Sequence, residues 1–190
     1  MIQVALTVGP QGAGKSTFCE NFIAEYPSVV LVSRDKVLIE LFGSAYLDEG
    51  GGHFIGKLRM WEIVIEHLKS GCTKLILDCW NESCSDRQGI TSRLRSLGVE
   101  IVEGWHFITP PDVCMNWFLG EFSLKNSRNE ERSKLIRKMD ELAYQRCFNN
   151  YNSEPVELEQ GFDLIHQINS LAPPPLQSLL QTINKVSPEI

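Results

Sequence analysis

Apolar and polar residues follow one another along the chain with two periodicities, one typical of strands and one typical of helices. Short apolar runs predict five strands, which cover residues 2–7, 29–32, 75–77, 99–108 and 162–168. Helical spacing of apolar residues predicts helices between them, at 17–24, 56–70, 85–96, 111–119 and 132–146. We therefore expect an α/β fold with a five-stranded, mostly parallel sheet and helices on both faces.

The segment between the first strand and the first helix, residues 9–17, reads Gly-Pro-Gln-Gly-Ala-Gly-Lys-Ser-Thr. It matches the phosphate-binding pattern G-x-x-x-x-G-K-S, and its strand and helix flanks argue against a glycine-rich turn that merely contains a lysine. Lys15 can reach the β- and γ-oxygens of a nucleoside triphosphate, and Ser16 can ligate Mg²⁺. We predict binding of ATP or GTP with Mg²⁺. The predicted nucleotide-binding residues are Gly9, Gln11, Gly12, Ala13, Gly14, Lys15, Ser16 and Thr17.

Two aspartates follow the second and third predicted strands. Because ligands bind beyond the carboxyl ends of parallel strands, we expect Asp35 and Asp78 to face the nucleotide. One carboxylate can take a proton from an attacking hydroxyl, and another can hold the water shell of Mg²⁺. We assign the first role to Asp35 and the second to Asp78. The alternatives are a helix N-cap at Asp35 and a loop hydrogen bond at Asp78.

A basic stretch follows the fourth predicted helix, with six positive charges between Lys125 and Lys138. Arginines on a closing lid can neutralise the charge of a transferred phosphate and exclude water. Arg128 and Arg132 are four residues apart, so both would face the same side of a helix. We predict a helical lid at about 120–138, with both arginines and Lys15 as catalytic residues. The alternative is a solvated helix face with ion pairs.

The composition narrows the class of protein. A chain of 190 residues with 43% apolar side chains can form one domain with a substantial core. Its net charge of −6 argues against a protein that coats long nucleic acids, because such binding neutralises many phosphates. The six cysteines lack C-x-x-C spacing and are expected to be reduced. Neither a charged leader nor a membrane-length apolar run is seen, so we expect a cytoplasmic protein without membrane contact.

The histidines offer no comparable signal. No cluster of histidines and cysteines with metal-ligand spacing is found in the sequence. His53, His106 and His166 have no chemically suggestive neighbour, and a structural role is expected for each.

Four segments together resemble the polynucleotide 5′-kinase family of P-loop phosphotransferases. They are residues 9–17, Ser-Arg-Asp at 33–35, Leu-Asp-Cys-Trp-Asn at 77–81 and Glu-Gln-Gly-Phe-Asp at 159–163. The resemblance spans about residues 1–169 and implies a P-loop kinase fold. It also implies that Lys15 and Ser16 bind the donor phosphates and Mg²⁺, that Asp35 is the general base and that Arg128 stabilises the transition state.

The resemblance is weaker on the acceptor side. The family often places a second arginine a few residues beyond the base, to hold the acceptor, whereas residues 36–39 here are Lys-Val-Leu-Ile. The leading hypothesis is a kinase that transfers the γ-phosphate of ATP to a hydroxyl group, with the 5′-OH end of RNA or DNA as favoured acceptor. A kinase acting on a nucleoside, sugar or antibiotic is the alternative. A nucleotide-binding module without transfer is a third hypothesis, which Asp35 and the lid arginines disfavour.

The kinase domain is expected to cover residues 1–170, followed by a tail at 171–190. Within the tail, the prolines at 173–175 precede a segment with the spacing of a short amphipathic helix. Packing of this helix on the domain is the expected role, and binding of a partner is the alternative. The glycines at 50–52 predict a loop around His53, either a wall of an acceptor pocket or a plain connection. The sequence leaves the acceptor and the oligomeric state open.

Overall fold

The computed structural model describes residues 1–45, 51–125, 142, 145, 146, 148–151, 153–177 and 179, with the side chains of 121–125 left aside. Within these residues the strands are β1 Gln3–Val8, β2 Val30–Ser33, β3 Lys74–Asp78, β4 Ile101–Phe107 and β5 Leu164–Ile168. The helices are α1 Lys15–Glu25, α2 Arg34–Phe42, α3 Gly52–Lys69, α4 Cys84–Ser96 and α5 Pro111–Lys125. A short 3₁₀ helix spans Leu158–Gln160 just before β5.

The strands form one sheet in the order β2-β3-β1-β4-β5. Each pairing between described neighbours is parallel, and the central strand β1 pairs with β3 on one side and β4 on the other. The predicted five-stranded α/β sheet is therefore confirmed. Since the strands run in the same direction, the carboxyl ends of β1, β2 and β3 lie at one edge of the sheet, where a ligand site is expected.

Side chains of β1 alternate between two apolar layers, as expected for a strand covered on both faces. One layer holds Val4, Leu6 and Val8 with residues of α3 and α4. The other holds Ala5 with residues of α1 and α5. Helices thus cover both faces of the sheet, as predicted. Among the described residues, no helix has the length and apolar character needed to cross a membrane.

Aromatic side chains fix α1 against the sheet. The ring of Phe18 meets Trp105 edge to face with centroids 5.7 Å apart, and meets Phe107 in the same way at 5.5 Å. Phe22 adds a contact with Trp105 at 5.0 Å. Such pairs contribute about 0.5–1.5 kcal/mol each beyond the burial of their surface. They hold the first turn of α1, and hence the loop before it, in a fixed position over β4.

Two local predictions differ from the structure. The segment Arg34–Phe42 is a helix that the apolar pattern did not predict, because Ile39 and Phe42 are exposed while Val37 and Leu38 are buried. The loop predicted around His53 is also wrong in part, since Gly52 and His53 belong to the first turn of α3. Close packing of α3 on α2 explains both: a Cβ at Gly56 would overlap the side chain of Leu38.

The predicted lid and tail are only partly within the described residues. Helix α5 continues to Lys125, six residues beyond its predicted end, and so enters the first part of the predicted lid at 120–138. Arg128, Arg132 and most of the predicted helix at 132–146 lie outside the described residues. At the start of the tail, Leu176 and Leu179 pack in the apolar layer beside α1 and α5.

Candidate active site

The loop between β1 and α1 requires glycine at three positions. Gly9, Gly12 and Gly14 have φ angles of 147°, 71° and 82°, which other residues rarely adopt. A Cβ at Gly12 would overlap the carbonyl of Cys114, and one at Gly14 would lie 2.7 Å from Ser170 Oγ. The backbone of this loop is therefore packed closely against α5 and the segment after β5. Helix α1 begins at Lys15, so its first N–H groups adjoin the loop, in the arrangement that favours bound phosphate.

The side chain of Lys15 folds back across the same loop. Its Nζ donates hydrogen bonds to the carbonyl oxygens of Gly9 and Pro10, both at 2.8 Å. A flexible ammonium held by two neutral carbonyls can exchange them for phosphate oxygens, which carry more negative charge. The positive charge is thus already located at the phosphate-binding loop.

Asp78 ends β3 beside the start of α1, and two hydroxyl groups fix its carboxylate. Oδ1 accepts a hydrogen bond from Thr7 Oγ1 at 2.6 Å, and Oδ2 accepts one from Ser16 Oγ at 3.2 Å. The side chain is buried. A hydroxyl and a carboxylate are oxygen ligands of the kind that Mg²⁺ prefers, so the residues present fit the predicted metal role of Ser16 and Asp78. Thr7 was not predicted to take part.

The peptide segment after β3 is anchored to β1 by a buried amide. Asn81 Nδ2 donates to the carbonyl of Thr7 at 2.7 Å and to that of Cys79 at 3.1 Å. Its Oδ1 accepts a hydrogen bond from Tyr151 Oη at 3.4 Å. These contacts explain the aspartate and the asparagine of the third-strand motif: the first faces the ligand site, and the second holds the turn in place.

Asp35 lies in the first turn of α2, whose N-cap position is Ser33, so the alternative of Asp35 as the N-cap is wrong. Its side chain is 60% exposed and lies 3.4 Å from Arg34 Nη1. The surrounding walls of the cleft nevertheless displace solvent from the carboxyl, and this partial burial raises its pKa above the usual value of 3.8. Arg34 opposes the shift and Asp78 adds to it. The raised pKa gives Asp35 more affinity for a proton.

Arg34 joins three elements around Asp35. Its Nη2 lies 2.6 Å from Nδ1 of His53 at the start of α3, where the imidazole nitrogen accepts the hydrogen bond. Its guanidinium also lies 5.9 Å from the ring centroid of Trp80, which follows β3. A guanidinium stacked on an aromatic face and hydrogen-bonded at one end has little freedom to move. A structural role for His53 stays a prediction, and the structure adds that the residue lines the site.

Lys15, Ser16, Arg34, Asp35, His53 and Asp78 line one cavity of about 650 Å³, which is large enough for a nucleotide. It holds each predicted site residue that the structure describes. These are Gly9, Gln11, Gly12, Ala13, Gly14, Lys15, Ser16, Thr17, Asp35 and Asp78. Asn116, Trp117 and Gly120 of α5 form part of the wall next to the loop. The two remaining predicted residues, Arg128 and Arg132, lie outside the described part of the chain.

Two further titratable groups have shifted pKa values. Burial, assisted by the charge of Asp78, raises the pKa of Cys79 to about 12, so its thiol stays protonated and is a poor nucleophile. Burial lowers the pKa of His106, which therefore remains neutral near pH 7. Among the described residues, no three His, Cys, Asp or Glu side chains cluster as a metal cage.

Sequence reasoning missed several residues of the site. Arg34 and Trp80 belong to the motifs on which the family resemblance is based. Their positions close to Asp35 and Asp78 in the sequence could have predicted that they lie in the site. Thr7 ends a strand and resembles any other buried polar residue of a sheet. For His53 the sequence offered only the glycines before it, as a possible wall of an acceptor pocket, and no sign of Arg34 as its partner, because the packing of α3 against α2 brings the two together.

The fold is similar to those of several solved structures. One is a chain of the Pnkp1/Rnl/Hen1 RNA repair complex, with a TM-score of 0.63 and 20% identity, covering 85% of this chain and 46% of that one. A fungal RNA kinase has a TM-score of 0.59 and 13% identity, covering 98% and 87%. Shikimate kinase from Acinetobacter baumannii in complex with shikimate has a TM-score of 0.50 and 17% identity, covering 100% and 96%.

These similarities establish that the chain has the fold of P-loop kinases. The chain spans less than half the length of the RNA repair protein chain. No protein-family model and no curated protein sequence matches it.

Proposed function

We propose that this chain is a kinase that transfers the γ-phosphate of ATP to a hydroxyl group, with the 5′-OH end of RNA or DNA as favoured acceptor. The observation that carries the proposal is the presence of Asp35 in the same cavity as Lys15, Ser16 and Asp78. A carboxylate with a raised pKa then faces a loop built for phosphate. The similarity of the fold to RNA kinases supports the choice of acceptor.

The donor half of the site binds the triphosphate. Backbone N–H groups of the loop and the first turn of α1 surround the β-phosphate, and Lys15 exchanges the carbonyls of Gly9 and Pro10 for phosphate oxygens. Ser16 and Asp78 would hold Mg²⁺, which when bound neutralises charge on the β- and γ-oxygens. Thr7 keeps the carboxylate of Asp78 oriented towards this position.

The acceptor half supplies the base. As the acceptor oxygen forms its bond to the γ-phosphorus, the bond from that phosphorus to the β–γ bridging oxygen breaks and ADP leaves. The proton of the acceptor hydroxyl passes to the carboxylate of Asp35. The hydrogen bond of Arg34 to His53 holds the arginine beside this carboxylate, so that the base keeps its orientation.

The last part of the proposal is a predicted role for the two arginines of the lid. Arg128 and Arg132 would stabilise the charge on the transferred phosphate and exclude water when the lid closes. Helix α5, which leads towards them, already forms the wall of the cavity next to the loop through Asn116, Trp117 and Gly120.

The acceptor side has no arginine a few residues beyond Asp35, but it has Arg34 directly before it. Leu38 is completely buried against α3, so its position does not face the cavity. Arg34, one helical turn earlier, lines the cavity instead. A cation is therefore present next to Asp35, which favours a phosphate-bearing acceptor over a neutral sugar or nucleoside. The alternative of a small-molecule kinase is supported by the similarity to shikimate kinase.

A transfer assay tests the proposal. The protein is incubated with γ-labelled ATP and Mg²⁺ and offered 5′-OH oligonucleotides of RNA and DNA, a panel of nucleosides and sugars, or no acceptor. We expect label on an oligonucleotide and a loss of about 10²- to 10⁴-fold in kcat for Asp35→Asn, the usual contribution of a general base.

Asp112→Asn is the matched control, because Asp112 is also an exposed carboxylate in the first turn of a helix but does not line the cavity. It should retain full activity. Label on small molecules alone would contradict the proposed acceptor. Binding of ATP without transfer to any acceptor would contradict the kinase assignment and favour a nucleotide-binding module.

A further inference from the structure

A second cavity of about 270 Å³ adjoins the proposed active site. Arg34, His53, Cys79 and Trp80 line both cavities, so the two spaces share one wall. The second cavity extends away from the phosphate-binding loop, between α3 and the start of α4. Its volume is below the ~300–1,000 Å³ of most small-ligand pockets, which suits one nucleoside-sized group and excludes a second nucleotide like the donor.

Two aromatic side chains stand exposed at this cavity. Trp80 is 46% exposed and Phe54 is 65% exposed. Large aromatic faces left in contact with water next to a cavity offer stacking surfaces for a planar ligand. Every nucleobase has a planar face, and stacking of bases on aromatic side chains is a general mode of binding to unpaired nucleic acid.

The cavity also carries positive charge, opposite in sign to the chain as a whole, which has a net charge of −6. Arg34 and Lys57 line it. The acidic residue in its lining is Asp86, whose carboxylate accepts hydrogen bonds from the backbone N–H and the hydroxyl of Ser83 in the capping box of α4. That charge is therefore compensated by the helix terminus. The exposed Lys57 offers a cation for an anionic ligand, next to Arg34, whose guanidinium is shared with Asp35 and His53.

We propose that the second cavity binds the terminal base of an unpaired 5′-OH end, with Trp80 and Phe54 as stacking surfaces and with Arg34 and Lys57 contacting the adjacent backbone phosphates. This inference rests on the proposed function. An acceptor hydroxyl at Asp35 lies next to Arg34, so the base of the same nucleotide reaches Trp80 across the shared wall. A base-paired end cannot place its base between these side chains, so the site selects single-stranded ends.

Removal of the aromatic face tests this subsite. For a single-stranded 5′-OH oligonucleotide, Trp80→Ala should raise KM by about five- to 100-fold, the usual effect of losing one stacked base. Trp80→Phe retains a π-face and should recover most of the affinity. Phe54→Ala should raise KM in the same direction. Phe42→Ala is the matched control, an exposed phenylalanine on α2 that lines neither cavity, and it should have no effect.

Removal of the base provides the complementary test. An oligonucleotide with an abasic 5′-terminal nucleotide should bind the wild-type protein more weakly by a factor similar to that of Trp80→Ala. In the Trp80→Ala variant, loss of the base should have a smaller effect than in the wild-type protein, because one of its two stacking partners is already absent. Lys57→Ala should reduce, by about one, the slope of the logarithm of the binding constant against the logarithm of the salt concentration. Lys69 is an exposed lysine at the other end of α3, and Lys69→Ala should leave this slope unchanged.

The outcomes separate this inference from the proposed function. The stacking subsite is wrong, and the kinase assignment stands, if oligonucleotides are phosphorylated but removal of the base weakens binding to Trp80→Ala as much as binding to the wild-type protein. The same conclusion follows if blunt duplex ends react as well as single-stranded ends. If no oligonucleotide is phosphorylated while a small molecule is, both the subsite and the favoured acceptor are wrong.

Discussion

The two aspartates of the site occupy different environments, which suit different chemistry. Asp78 is buried, and the hydrogen bonds that its carboxylate accepts from two hydroxyl groups fix its orientation, which suits a metal ligand. Asp35 projects from the first turn of α2 into the cleft and has a raised pKa, which suits a group that gains a proton during the reaction. The same residue type is thus proposed for two roles because of its surroundings.

The pH dependence of transfer should report the state of Asp35. The carboxylate must be deprotonated to act as a base, so kcat/KM should rise with pH. Because burial in the cleft raises the pKa of Asp35, this rise should centre above 3.8, the usual value for aspartate. A pH–rate profile of the wild-type protein measures it. The residual activity of Asp35→Asn should not show this rise. If its activity rises with pH over the same range as that of the wild-type protein, the assignment of Asp35 as the base is wrong.

The same shift affects stability with a definite sign. A raised pKa means that the folded state binds the proton of Asp35 more tightly than the unfolded state does. The free energy of unfolding should therefore fall as pH rises from the usual aspartate pKa through the raised one. Urea denaturation across this range should show a smaller fall for Asp35→Asn, which cannot titrate.

At the level of elements, the phosphate-binding loop is shaped by its contact with α5 as well as by its own glycines. Gly12 lies against the backbone of Cys114, and the carbonyl of Ala13 accepts hydrogen bonds from Thr109 at 2.9 Å and from Ser170 at 2.5 Å. These two hydroxyls come from the segments that follow β4 and β5. The loop is thus held in shape from outside before any phosphate binds.

A pair of glycine substitutions separates this contact from backbone strain. Gly12 and Gly71 have similar φ angles of 71° and 89°, but a Cβ at Gly71 meets no atom within 4 Å. Gly71→Ala should cost about 1–2 kcal/mol in free energy of unfolding, from the unfavourable φ alone. Gly12→Ala should cost about 1–3 kcal/mol more, because the methyl group displaces α5. It should also abolish ATP binding. Equal costs in urea denaturation would show that the contact with Cys114 is unimportant.

At the level of the whole molecule, Arg87 connects the turn after β3 with the segment before β5. Its guanidinium is completely buried and donates to Gln160 Oε1 at 2.6 Å, to the carbonyl of Glu154 at 2.7 Å and to that of Asn81 at 3.1 Å. Burial lowers the pKa of Arg87, but the group satisfies carbonyls that would otherwise be unpaired. The turn that carries Asn81 and Trp80 therefore depends on residues far along the chain.

Replacement of Arg87 should destabilise the whole fold. Arg87→Met preserves the aliphatic stem but leaves several buried carbonyls without donors, and we expect a loss of about 3–5 kcal/mol in free energy of unfolding. Arg59→Met, at an exposed position on α3 where the arginine pairs with Glu62 and Glu66, should have little effect. Denaturation by urea measures both. A loss for Arg87→Met no larger than for Arg59→Met would show that the buried network is dispensable.

The sequence alone predicted the donor side of the site and the order of the five strands along the chain. A strand, a glycine-rich turn and a helix N-terminus depend on local backbone preferences and short-range periodicity, so Gly9 to Thr17 could be interpreted without a fold. The placement of Asp35 and Asp78 followed from one general property, that parallel strands end at the same edge. The roles of Arg128 and Arg132 remain predictions.

The acceptor side was decided only by the tertiary structure. Arg34, His53 and Trp80 come from α2, α3 and the turn after β3. No pattern in the sequence predicts that these three residues are neighbours. They meet because β2 pairs with β3 and because α3 packs closely on α2 at Gly56. Contacts between elements far apart in sequence arise from sheet order and helix packing, which a local pattern does not encode. For that reason the sequence predicted a phosphate donor, whereas the fold supplied the surface proposed for its acceptor.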